Sequence, residues 1–204
     1  MSDTKLTART EQGASCDGAH ANEREPFLSD IETLRQRARH QIEQGAVTPS
    51  YGADKNAVIE LLNTALATEI VCTLRYRRHY FLANGILAEA IKKEFLAHAE
   101  EEQTHADQIA ERIVQLGGEP NLSPIGLATR SHAEYGNGAN LEQMLTEDLI
   151  AERIAIESYG EMIAYLDGKD PTTRRMLEAI LAVEEQHAEE IASMLDDMHQ
   201  LRPA

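Results

Sequence analysis

Four long stretches of the chain repeat apolar residues at helical spacing, and Gly and Pro fall almost wholly between them. The first runs from the capping residue Asp54 to about Ala83, with Gly85 in the turn that follows; the second runs from about Ile86 to Leu116 and is closed by Gly117 and Gly118. The third begins after Asn140, where Gln143 is placed for a capping box, and stops before Gly168. Asp170 caps the fourth, Pro171 takes its first position, and it reaches about Leu201. Short turns make the first two stretches one hairpin and the last two another. Between the hairpins lie residues 117–140, broken by Pro120, Pro124, Gly126, Gly136 and Gly138. A helix of near 30 residues is roughly 45 Å long, and about two dozen extended residues reach that far, so this segment is expected to cross the whole bundle. Upstream, Ser29 with Glu32 three residues on predicts a capping box, and Ile31, Leu34, Ala38 and Ile42 lay a narrow apolar stripe along a short accessory helix over 30–44. The fold class is all-α. Residues 1–28 read as a disordered leader able to order on a partner, 29–53 as a short accessory helix and linker, and 54–204 as a four-helix bundle.

Composition points the same way: Ala, Glu and Leu supply 28, 25 and 21 of 204 residues, aromatics make up 4%, and Trp is absent. No uncharged apolar run approaches the roughly 18 to 20 residues of a membrane span. Residues 1–28 scatter charge and Gly without the apolar block of a secretory signal, so a cytoplasmic setting is expected. Cys16 and Cys72 form neither a disulfide framework nor a zinc spacing, and Cys72 reads as a small buried hydrophobe. The net charge of −16 lies almost entirely beyond residue 53. It attracts cations and argues against direct DNA binding, since the basic clusters are only Arg35, Arg37 and Arg39, then Arg75, Arg77 and Arg78.

Charge also stands where the helical period demands apolar residues. In the first long helix the stripe is Leu62, Leu66, Glu69, Thr73, Tyr76, Tyr80 and Ala83; in the third it is Leu145, Leu149, Glu152, Ile156, Tyr159, Ile163 and Leu166. The second and fourth each carry Glu-x-x-His on the inner stripe, as Glu102 with His105 and Glu184 with His187. About one Glu-x-x-His arises by chance at this composition, so the weight rests on duplication. Glu69 precedes Glu102 by 33 positions and Glu152 precedes Glu184 by 32, each lone Glu has a Tyr seven residues later, and both motifs continue His-Ala-acid-x-Ile. The two halves read as an internal repeat. Distances from the hairpin turns place all four carboxylates at mid-bundle, with His105 and His187 on the same faces as their Glu partners. Such carboxylates repel and take up protons unless positive charge sits among them. Two divalent cations supply it, and oxygen-rich ligation with one imidazole per metal suits iron or manganese.

These residues carry a family resemblance. Residues 54–201 resemble a ferritin-like four-helix bundle, closest to bacterioferritin, whose ferroxidase ligands match Glu69, Glu102, His105, Glu152, Glu184 and His187. The resemblance implies that Glu102 and Glu184 bridge two iron ions, and that Tyr76 is the tyrosine beside that centre. Where bacterioferritin has its haem-ligating Met this chain has Gln103, so no haem is expected. The chain ends without the fifth helix of large ferritin cages, which, with the N-terminal extension, resembles Dps-like mini-ferritins and favours a 12-subunit cage over a 24-subunit one. Ala97 and Glu101 replace the inner-surface His and Asp of some bacterioferritins.

The expected function is therefore ferroxidase activity with iron storage: Fe²⁺ oxidised by O₂ or H₂O₂ and kept as Fe³⁺ in a homo-oligomeric cage. A dimanganese catalase, a di-iron peroxidase and a DNA-protecting shell are the alternatives. Tyr76 reads equally as an electron donor or a core aromatic, and Tyr159 as core. His98, one turn before Glu102, is a candidate accessory metal ligand, with a hydrogen-bonded core histidine the favoured reading. His79, His132 and His199 lack motif partners and read as surface residues. Glu101 reads as part of a solvated face that could guide iron.

Overall fold

A computed structural model describes residues 28–85 and 88–200. In chain order its elements are α1 (Ile31–Arg39), a 3-10 turn (Ile42–Gln44), α2 (Lys55–Leu82), α3 (Ala88–Gln115), α4 (Leu127–Arg130), α5 (Leu141–Leu166) and α6 (Pro171–Gln200). The helix ends follow local chemistry. The Asp54 carboxylate accepts from the backbone N–H groups of Asn56 and Ala57, Asn140 from Gln143, and Asp170 from Thr173, each satisfying donors that an open helix start leaves orphaned. At the end of α3, Gly117 turns left-handed at φ +78°. The N–H of Gly118 then reaches Ile113 O and that of Gly117 reaches Val114 O, which closes the last carbonyls. The leader expected before Leu28, the helix start at Ile86 and the helix end at Leu201 lie outside the described residues.

Two antiparallel hairpins, α2/α3 and α5/α6, pack into an all-helical four-helix bundle, as the pattern predicts. Its apolar core is divided. One layer gathers Leu62, Leu66, Ile109, Ile113, Leu166 and Leu177, and the other Tyr76, Ile91, Phe95, Leu145 and Ile191. The inward carboxylates occupy the gap between these layers. Helix α2 is long and apolar enough to cross a bilayer by length and composition, but more than half of its most apolar stretch is buried in the bundle. The same helix carries Glu69 and Arg75, both 1% exposed.

Several details differ from the sequence reading. Asp30 caps α1 by accepting from Thr33 N, while Ser29 Oγ accepts from Arg37. The accessory helix stops at Arg39, because Gln41 adopts a left-handed φ of +54° and the chain resumes only as a 3-10 turn. Among the described residues its apolar stripe has no cover: Ile31, Leu34 and Ile42 are 67%, 51% and 77% exposed. The crossover contains α4, held by Arg130, whose guanidinium donates to the carbonyls of Asn121, Ser123 and Ile125. The crossover is pinned along α2, with Asn121 N donating to Asn63 Oδ1 and His132 N to Thr68 Oγ1.

His79 is not a surface residue. It is fully buried, with Nδ1 2.8 Å from Asp148 Oδ2. Arg75, read in the sequence as part of a basic cluster, points inward: Nε donates to Asp148 Oδ1 at 2.7 Å and Nη1 to Glu134 O at 2.9 Å. Toward the other end, Arg112 Nη2 lies 3.1 Å from both oxygens of Asp170, which also accepts from Tyr51. Buried ions paired this way tie the two hairpins, the linker and the crossover together.

Candidate metal centre

Helix α2 contributes Glu69, α3 contributes Glu102 and His105, α5 contributes Glu152, and α6 contributes Glu184 and His187. All six are buried, none above 5% exposure. They fall into two groups able to hold a metal ion: Glu69, Glu102, His105 and Glu184, then Glu102, Glu152, Glu184 and His187, with ligand atoms within 4.8 Å of one another. Glu102 and Glu184 belong to both. The structure thus brings together the whole set read from the duplicated pattern.

The donor atoms crowd without satisfying one another. His105 Nδ1 lies 2.9 Å from Glu184 Oε1, 3.4 Å from Glu69 Oε2 and 3.6 Å from Glu102 Oε2. His187 Nδ1 is 3.6 Å from both Glu102 Oε1 and Glu184 Oε2. Yet both Nδ1 atoms, with Glu69 Oε2, Glu102 Oε1 and both Glu184 oxygens, are buried and lack an aligned hydrogen-bond partner. Buried polar atoms are ordinarily paired. Close approach without alignment is the arrangement of donors directed at common central points, so this set fits a pair of cations.

Charge within the centre is divided between two kinds of carboxylate. Burial, with Glu102 beside it, pushes Glu69 up to about 8. Burial together with Glu102 and Glu184 likewise holds Glu152 well above the usual carboxylate range. Burial acts upward on Glu102 and Glu184 too, but contacts with the protonated groups around them prevail and hold both below the ordinary value. Against the lowering effect of burial, Glu102, Glu184 and Glu69 push His105 up to about 12. Glu102 and Glu184 similarly push His187 up to about 10. The centre thus favours protonated His105 and His187 beside ionised Glu102 and Glu184, with Glu69 and Glu152 shifted toward their neutral forms.

A family model described as a ferritin-like domain matches residues 59–201. The chain belongs to this ferritin-like family. Over 140 residues it is 32% identical to the bacterioferritin of Brucella melitensis, covering 68% of this chain and 83% of that one. A nutrient stress-induced DNA-binding protein of a Synechococcus strain is also 32% identical, over 68% of this chain and 80% of its own. Among solved structures, a dodecameric thioferritin, the bacterioferritin-related protein of Bacteroides fragilis, superposes with a TM-score of 0.71 at 32% identity. That match covers 74% of this chain and 90% of the other.

Further side chains stand around the six candidate ligands. Tyr76 on α2 donates its hydroxyl to Glu152 on α5, and Tyr159 on α5 donates to Glu69 on α2. The two contacts are exchanged across the internal repeat, so Tyr159, read as core, stands beside the centre as Tyr76 does. The spacing of seven residues from each lone Glu carried this signal. His187 Nε2 lies 2.6 Å from Glu101 Oε2, a partner that fixes the ring and leaves Nδ1 facing the centre. Nothing in the sequence of α3 marks Glu101 for that part, because its partner lies on α6. His98 is buried against His187, with ring centroids 4.0 Å apart, and its Nε2 is 3.0 Å from Glu190 Oε2. Gln103 is exposed and donates to Asp107. His132 and His199 are exposed, as the sequence reading expected.

Proposed function

We propose that the protein is a ferroxidase that binds two Fe²⁺ ions per subunit at Glu69, Glu102, His105, Glu152, Glu184 and His187 and stores the product as Fe³⁺ in a cage. The observation that carries this reading is the set of buried donor atoms, drawn from α2, α3 and α6, that lack aligned partners. Each ferrous ion gives up one electron. Dioxygen takes two electrons and two protons and leaves as H₂O₂; with H₂O₂ as the oxidant, the same two electrons and two protons yield two waters. Glu102 and Glu184 hold both substrate ions, and His105 and His187 each face one of them. The Tyr76 and Tyr159 hydroxyls orient the outer carboxylates, and the apolar layers on either side exclude bulk water. A dodecameric shell is the assembly we propose, by analogy with the thioferritin. Large exposed apolar side chains such as Phe81, Ile125 and Leu122 supply surface for subunit contacts. A cytoplasmic setting accords with this role.

The test is anaerobic Fe²⁺ titration of the full-length protein, followed by admission of air or H₂O₂ and measurement of ferric absorbance and particle mass. Binding of about two Fe²⁺ per subunit, prompt oxidation and accumulation of iron in the particle are expected. Peroxide dismutation with no mineral would instead indicate a catalase with manganese in the centre, and a salt-sensitive shift of duplex DNA would indicate a DNA-protecting shell.

Proton release gives a second prediction. In the metal-free centre His105, His187, Glu69 and Glu152 are all shifted toward their protonated forms, and the loaded centre uses all four without those protons. Filling both positions is thus expected to release protons, and affinity is expected to tighten as pH rises from about 6 to 8. Calorimetry in buffers of different ionisation enthalpy reads the number directly; uptake with no proton release would contradict the charge arrangement described above.

The exchanged tyrosines give a third. Tyr76→Phe and Tyr159→Phe each leave one outer carboxylate without its donor, and each is expected to slow Fe²⁺ oxidation by about 10-fold or more. Stopped-flow measurement at saturating iron checks this, and a wild-type rate in Tyr159→Phe returns that residue to a packing role.

A further inference from the structure

We propose that Glu94, His98 and Glu190 form a third divalent-cation site at the solvent edge of the dinuclear centre. Their ligand atoms lie within 4.8 Å of one another. Glu94 and His98 sit four residues apart on α3 and so share a face of that helix, while Glu190 reaches across from α6. The cluster is more than a surface pair of acids. His98 is 1% exposed, its Nε2 already faces Glu190 Oε2 at 3.0 Å, and its Nδ1 is buried with no partner. Gln186 donates to the other Glu190 oxygen at 2.8 Å, which holds that carboxylate in place. One imidazole and two carboxylates make a donor set for Fe²⁺, Zn²⁺ or Mn²⁺.

Position gives the site a use. Glu94 is exposed and the Glu190 side chain is 40% exposed, so an ion arrives there from solvent. On the inner side the His98 ring stacks on His187 and meets the edge of Tyr76 at a centroid distance of 5.2 Å. An ion held here waits one side chain away from the dinuclear centre. As a binding site this cluster is independent of the ferroxidase reading; as a delivery station it rests on it.

Zn²⁺, which cannot be oxidised, tests the site by native mass measurement and metal analysis of the full-length protein. Wild type is expected to hold about three Zn²⁺ per subunit, Glu190→Gln about two, and Glu102→Ala about one. Glu190 is half-exposed, so its amide variant keeps the fold. Equal Zn²⁺ content in Glu190→Gln and wild type at every free Zn²⁺ concentration overturns the third site while leaving the dinuclear centre standing. If Glu102→Ala loses nothing but Glu190→Gln loses one ion, the dinuclear reading fails and the third site survives. At limiting Fe²⁺, Glu190→Gln is expected to oxidise iron several-fold more slowly than wild type and to match it at saturation. Equal slowing in both regimes would assign Glu190 to the centre itself and overturn the delivery role.

Discussion

Replacing Glu102 with alanine is expected to lower the rate of aerobic Fe²⁺ oxidation by at least about 100-fold and to abolish tight binding at both metal positions. Glu102 stands in both candidate ligand groups, so one substitution takes a donor from each ion. It also contacts both imidazoles and favours their protonated forms in the metal-free centre. Without it each ring loses one of the carboxylates that raise it, leaving Glu184 to act on both. The exposed neighbour Glu100 is the control: its alanine variant keeps the same helix and nearly the same surface charge, and is expected to oxidise iron at the wild-type rate. Stopped-flow ferric absorbance on both variants, with particle mass after loading, makes the comparison. Retention of half the wild-type rate in Glu102→Ala would falsify the proposed centre.

Arg75→Met is expected to have the largest effect on stability, a loss of about 3–5 kcal/mol per subunit. Arg75 is 1% exposed and Asp148 fully buried, and the guanidinium also donates to Glu134 O and contacts Cys72 Sγ at 3.6 Å. Methionine fills much of the volume but leaves Asp148 with His79 as its remaining partner in the core and frees the crossover carbonyl. An uncompensated buried carboxylate is the main source of the loss, so removing that charge restores part of it. The double variant Arg75→Met/Asp148→Asn is therefore expected to melt above Arg75→Met alone, the reverse of what two independent losses would give. Thermal unfolding of the metal-free protein measures both. Equal melting temperatures for wild type and Arg75→Met would show that the network contributes nothing to stability.

The bundle was legible because its signals are local. Asp54, Asn140 and Asp170 cap within three residues of themselves, and Gly117 with Gly118 closes α3 from neighbouring backbone. The centre was legible because a glutamate on an apolar stripe conflicts with burial, and the conflict occurs on all four helices. What the sequence hid depends on distant partners. His79 looked solvated because Asp148 lies 69 residues away on another helix, and Arg75 looked like part of a basic run for the same reason. The stripe of Ile31, Leu34 and Ile42 marked a face without saying what would cover it. Ser29 and Asp30 both suit a helix cap, and Arg37, by engaging Ser29 Oγ, leaves the cap to Asp30. Four residues of α4 are too few to show a helical period.

The exchanged tyrosines and the two shared carboxylates bear on how the subunit holds together. In the proposed centre each hairpin would supply one ion with a Glu and a Glu-x-x-His, and the opposite hairpin would lend a shared carboxylate and a tyrosine hydroxyl. Neither half owns a finished centre. On the proposed function iron would be a fastener as well as a substrate: a subunit cut in the crossover would still hold its halves together while loaded, and would release them when a chelator removes the ions.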